Sequence, residues 1–236
     1  WIVVDALTTR ESSAAAMAFA RQHLGDKPVT ALVFSHSHID HFGGALGVVT
    51  PQEVADRNVP VIAPTGFMEE ATSENVMVGT AMGRRSIYQF GRDLELSAKG
   101  NVDTGLGKNV VYGTFGILPP TQLITKPTEE LTLDGVHFVF HNVPGAEAPA
   151  ELTFFIPEKK AYGGAENLTQ TMHNLLPIRG AKVRDALRWS EYMDQALEQT
   201  AGTEVYFGQH NWPIWGNAHI QDFIKAHRDV YKYTHD

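Results

Sequence analysis

The stretch Ser35 to Gly44, SHSHIDHFGG, gathers His36, His38, Asp40 and His41 directly after the apolar run Val29 to Phe34. Imidazole and carboxylate at this density are metal-ligand chemistry. The chain contains no cysteine, so thiolate coordination is excluded and zinc held by nitrogen and oxygen is expected. In an extended segment side chains two apart share a face, which would point His36, His38 and Asp40 into one pocket. A turn beginning at Asp40 would then swing His41 to a second point beside it, an arrangement that suits two metal ions better than one. A solvated polar loop with scattered histidines is the competing account. It fits poorly with four potential ligands set between an apolar run and the Gly43-Gly44 turn.

The elements around this stretch can be read from pattern. Trp1 to Val4 is a short apolar strand ending at Asp5, which is either a turn residue or a carboxylate that orients a ligand histidine. Thr9 to Leu24 reads as a helix, with Glu11 in its first turn, an alanine-rich body and Gly25 just past its end. With Val29 to Phe34 as a parallel strand, the metal motif falls at a C-terminal strand end, where α/β sheets carry their sites. Ala45 to Val49 is expected as a short helix, Pro60 to Ala63 as a strand, and Phe67 to Arg92 as a helical excursion. Gly100 to Gly116 is rich in glycine and aperiodic, a long loop of the kind that forms lids. Asp134-Gly135 between Leu131–Leu133 and Val136–Phe140 predicts a type I′ hairpin. Leu152 to Ile156 and Glu204 to Phe207 are further strands, and Asn217 to Tyr231 a helix. The expected class is α/β, an αββα sandwich formed by one domain over 1–236.

The length of 236 residues and 43% hydrophobic composition suit a single sizeable core. A formal charge of -8 with no basic run argues against nucleic acid as a partner. No apolar stretch approaches the ~18 residues of a membrane span. Trp1 stands where Met would open a complete chain, and a strand begins at once, so a fragment of a longer chain is expected. Absence of cysteine is compatible with a periplasmic or secreted location.

The HxHxDH pattern after an apolar strand resembles the metallo-β-lactamase superfamily. PGAEAPAELTFFIPEKKAYGGAENLTQTMHNLLPIRGAKVRD, from Pro144 to Asp185, and GQHNWPIWGNAHI, from Gly208 to Ile220, resemble its zinc-dependent alkylsulfatases. On the residues alone, Glu147 and Glu166 read as ordinary exposed glutamates, His173 as a packed or capping histidine and Arg179 as a surface charge. The resemblance implies instead that Glu147 joins His36 and His38 at one zinc, that Asp40, His41 and His210 hold a second, and that Glu166 bridges the two. It also implies that His173 and Arg179 contact a sulfate group, with a guanidinium pairing bidentately. Pro177 is expected to end a helix carrying His173, so that the following loop returns Arg179 to the same place. His219 rivals His210 but is expected on a solvated helix face, as are Lys182, Arg184 and Arg188. His137, His141, His227 and His235 show no converging partners.

The activity implied is hydrolysis of alkyl sulfate esters at a dinuclear zinc site, with Asp40 orienting water and His173 serving the leaving oxygen. The full-length protein is expected to be a homodimer. Another hydrolase of the same fold, a β-lactamase or lactonase, is the alternative, because HxHxDH by itself does not select a substrate.

Overall fold

The computed structural model describes residues 1–236. The chain divides into two compact units, one of Trp1–Leu123 with Pro177–Ala181, the other of Ile124–Leu176 with Lys182–Asp236.

The first unit is built on β1 (Ile2–Val4), β2 (Ala31–Val33) and β3 (Val61–Pro64), in that order, with β4 (Gln122–Ile124) outermost. β1 and β2 are parallel, Val3 opposite Leu32, and β2 and β3 are parallel, Val33 opposite Ile62. Parallel neighbours need a crossover, and α1 (Arg10–Leu24) supplies the first, opened by a capping box in which Thr9 and Ser12 satisfy each other's backbone. The metal motif leaves β2 and passes into the short helix α2 (Ile39–Phe42). α3 (Pro51–Arg57), capped reciprocally by Thr50 and Glu53, leads into β3. The helical excursion resolves into α4 (Phe67–Thr72), a π-helical turn Ser73–Met77, and α5 (Gly79–Gln89).

Two rings clamp the metal motif to this core. Phe34 stacks on Phe67 with centroids 5.1 Å apart, and Phe42 meets Phe67 edge-on at 5.5 Å. All three are buried, and burial of each ring contributes on the order of 1.5–3 kcal/mol. The motif is thus tied to the core just before Ser35 and just after His41. Gly44 completes the fit, since a Cβ there would collide with the carbonyl oxygens of Ala6 and Thr9 and with the Ser13 hydroxyl.

The second unit holds β5 (Thr128–Leu133), β6 (Val136–Asn142), β7 (Leu152–Ile156), β8 (Ala161–Gly163), β9 (Val205–Phe207) and β10 (Ile214–Trp215), in the order β10-β9-β8-β7-β6-β5. The hairpin β5–β6 turns at Asp134 and Gly135, both with positive φ of 46° and 78°, as a type I′ turn requires. Only β8 and β9 pair in parallel among these neighbours, and α6 (Ala186–Gln199) is the helix of that crossover. α7 (Asn217–His235) follows β10. The core gathers Tyr162, Trp189, Tyr206 and Tyr231, with Trp189 stacked on Tyr231 at 4.4 Å. No helix of the chain is long and apolar enough to cross a membrane.

One expected element does not form. Between β8 and α6 the chain is irregular, so His173 sits on no helix and Pro177 ends none. Side-chain hydroxyls and amides there bond locally, as where Thr169 donates to the Thr171 carbonyl at 2.6 Å, and such bonds compete with helix formation.

Candidate metal centre

In the first unit, His38 lies on extended backbone, φ -81° and ψ 145°, as the N-cap of α2. The His36 and His38 rings are perpendicular with centroids 4.9 Å apart, and the His36 and His41 rings are 3.9 Å apart. The helix begins at Ile39, so Asp40 and His41 stand on a helical turn, and Asp40 does not continue the extended face as its spacing suggested. His36, His38 and His41 are buried.

Asp5 organises this cluster. It adopts φ 60°, a left-handed conformation that aspartate tolerates better than most residues. Its carboxylate accepts from the Ser35 amide and hydroxyl, each at 2.7 Å, and from His41 Nδ1 at 2.8 Å. An ionised carboxylate accepts only, so His41 carries its proton on Nδ1 and presents Nε2 toward Asp40, whose oxygen lies 3.2 Å away. Burial would raise the Asp5 pKa, but the charge and hydrogen bond of His41, the charge of His36 and the Ser35 amide together outweigh it, and the value is lowered. Burial likewise opposes charge on His41, yet Asp40 and then Asp5 overcome it and raise its pKa well above the ordinary histidine value. The Asp5–His41 pair therefore has the carboxylate–histidine form that commonly orients a metal ligand.

Arg179 also belongs to this unit. Its backbone N–H donates to Gln89 Oε1 on α5 at 2.9 Å, and its guanidinium lies 3.7 Å from Glu74 Oε2, which is also 3.7 Å from His38 Nε2. Glu74, on the π-helical turn, escaped the sequence reading because nothing in SENVM marks it.

The second unit collects the acidic ligand candidates. Glu147 sits in the loop between β6 and β7, Glu166 just after β8 behind Ala165 at φ 49°, and His210 just after β9 at φ 69°. His210 Nε2 and Glu166 Oε1 are 2.9 Å apart. Glu147 and Glu166 are 3% and 2% exposed, against the residue-level expectation of solvated glutamates. Glu151, unnoticed in the sequence, is wholly buried beside them. Its pKa is raised well above the carboxylate range, first by burial and then by the charge of Glu147.

Arg184 corrects the expectation of a solvated helix face. It precedes α6, whose N-cap is Asp185, and it is buried. Its Nε donates to the Glu147 carbonyl at 2.6 Å, Nη2 to Glu147 Oε1, and Nη1 to the Asn174 carbonyl at 2.9 Å. Asp185 is a favoured N-cap residue type, and as the cap of α6 it leaves Arg184 outside the helix. Lys182 and Arg188 are exposed as expected, and so is His219 on α7. His173 Nε2 lies 3.4 Å from Glu147 Oε1, with its backbone N–H donating to the Tyr231 hydroxyl at 2.8 Å and its ring 5.9 Å from that of Trp189.

The donor chemistry fits a metal. Three buried carboxylates, Glu147, Glu151 and Glu166, share their surroundings with one buried guanidinium, that of Arg184. Holding carboxylates ionised in a buried place is costly, and a bound cation favours it. Imidazole nitrogen and carboxylate oxygen without thiolate match zinc.

Comparison with known proteins agrees with this chemistry. The family described as the metallo-beta-lactamase superfamily matches residues 1–210. An alkyl/aryl-sulfatase of Saccharomyces cerevisiae is 43% identical across 100% of this chain, which covers 36% of that protein. The structure of a stereoselective inverting sec-alkylsulfatase from a Pseudomonas species superposes with a TM-score of 0.94 at 43% identity, over 98% of this chain and 37% of that one. The metallo-beta-lactamase FIM-1 of Pseudomonas aeruginosa, in its mono-zinc form, superposes with a TM-score of 0.64 at 12% identity, over 99% of this chain and 79% of that one, a likeness of fold alone. The chain spans little more than a third of the length of the curated relatives it matches. The αββα expectation and the resemblance to alkylsulfatases are both borne out.

Proposed function

Since the chain belongs to the metallo-β-lactamase superfamily, we propose that it is the catalytic part of an alkylsulfatase, hydrolysing alkyl sulfate esters to alcohol and inorganic sulfate with two zinc ions. The observation that carries this reading is the 43% identity to a sulfatase across the whole chain, beside 12% to a lactamase of the same fold. His36, His38 and Glu147 would hold one ion, Asp40, His41 and His210 the other, with Glu166 bridging. When bound, such ions polarise an ester oxygen and lower the pKa of water towards ~7.

The protein's own groups divide the remaining work. Asp5 fixes the tautomer of His41, and Arg184 fixes the carboxylate of Glu147. Asp40 would orient water. Arg179 would hold the sulfate: its contact with Glu74 is a single long one of 3.7 Å, which leaves guanidinium donors for a second anion. His173, beside Glu147, would donate a hydrogen bond or proton to the oxygen that gains charge as the ester breaks.

The experiment is to supply the zinc-reconstituted chain with a medium-chain alkyl sulfate and, separately, a chromogenic cephalosporin. Release of inorganic sulfate and no cephalosporin turnover is the expected result. The reverse pattern would replace the sulfatase with the lactamase alternative.

A further inference from the structure

We propose that Glu151 is a positioning residue that holds the loops carrying Glu147 and Glu166 in one fixed relation. It stands at the end of the loop that begins at Val143, closed by the Val143 N–H donating to the Glu151 carbonyl at 2.9 Å. Its side chain turns back into that loop. Oε2 accepts from the backbone N–H of Glu147 at 3.1 Å and of Ala148 at 3.2 Å, while Oε1 accepts from the backbone N–H of Glu166 at 3.2 Å. The two loops leave different strands, β6 and β8, and one carboxylate ties them together.

The clamp is fully internal, since Glu151 is 0% exposed. Its two oxygens take three backbone N–H groups from two loops, so neither loop can shift without losing a buried hydrogen bond. Glu151 then serves metal binding by fixing where two ligands stand. It touches neither substrate nor, in this reading, metal. The inference rests on Glu147 and Glu166 being ligands.

The test compares the wild-type chain with Glu151→Gln, which keeps the volume but has only one oxygen to accept with, and with Glu151→Asp, which keeps both carboxyl oxygens but is one methylene shorter. Zinc affinity is read by competition with a chromophoric chelator. Amide exchange at Glu147, Ala148 and Glu166 and the melting temperature are read on metal-free protein. The expected result for Glu151→Gln is affinity lower by about 10–100-fold, faster exchange on at least one loop, and little change in melting temperature, with Glu151→Asp intermediate. Zinc affinity within twofold of wild type in a folded variant overturns the proposal, whatever happens to stability. If Glu151→Gln does not fold, Glu151→Asp carries the same comparison. Should wild type bind no zinc, the ligand assignment fails on its own, and amide exchange decides the clamp: faster in the variants upholds it, unchanged overturns it.

Discussion

At the scale of single residues, charge placement carries most of the account. His173 and Arg179 differ in what they meet. His173 lies against the buried Glu147 carboxylate and Trp189, a packed setting for a donor aimed at developing charge. Arg179 is anchored through its backbone to Gln89 and keeps only a loose contact with Glu74. An interaction made equally in ground and transition states acts on KM, and one made only in the transition state acts on kcat. Arg179→Ala should therefore mainly raise KM, and His173→Ala should lower kcat by ~10²–10⁴. Steady-state kinetics on the zinc-loaded variants decide it, and a near-normal kcat for His173→Ala would remove that residue from the mechanism. The histidine cluster was legible because His36, His38, Asp40 and His41 are adjacent in sequence. Glu74, Glu151 and Arg184 were not, because their roles come from burial and from partners far along the chain.

Among elements, β2 and α1 were readable from composition and caps, and the β5–β6 hairpin from its Asp-Gly turn. The stretch from β8 to α6 was not. It has apolar residues at helical spacing, but local hydroxyl bonding, Pro177 and the burial of Arg184 hold it irregular. The elements of the second unit also set a pH limit. Tyr162 on β8 and Tyr206 on β9 are buried, and burial first of all pushes both hydroxyls above the ordinary tyrosine value of about 10. The unfolded chain releases these protons near pH 10 while the folded chain retains them, so the stability they contribute is complete below about pH 10 and is lost as pH rises beyond it. The urea midpoint of the metal-free protein should stay level with respect to these groups up to about pH 10. Above that, stability should fall by roughly 1.4 kcal/mol per tyrosine for each pH unit. A midpoint unchanged to pH 11 would mean that these hydroxyls ionise in place.

For the molecule as a whole, sequence and fold agree on family, and the chain's matches to sulfatases run through both units. The ligand candidates are shared between the units, His36, His38, Asp40 and His41 in one and Glu147, Glu166 and His210 in the other. The histidine motif is legible because its members are neighbours in sequence, whereas Glu147 and Glu166 stand out in the sequence only through the family resemblance, to which the structure adds their burial. The central claim is that these seven residues hold two zinc ions, and metal content measures it most directly. After chelation, reconstitution with zinc and removal of excess metal, elemental analysis should give two zinc ions per chain, and Glu166→Gln should lose both together. A stoichiometry of one or none in folded wild-type chain would contradict the account.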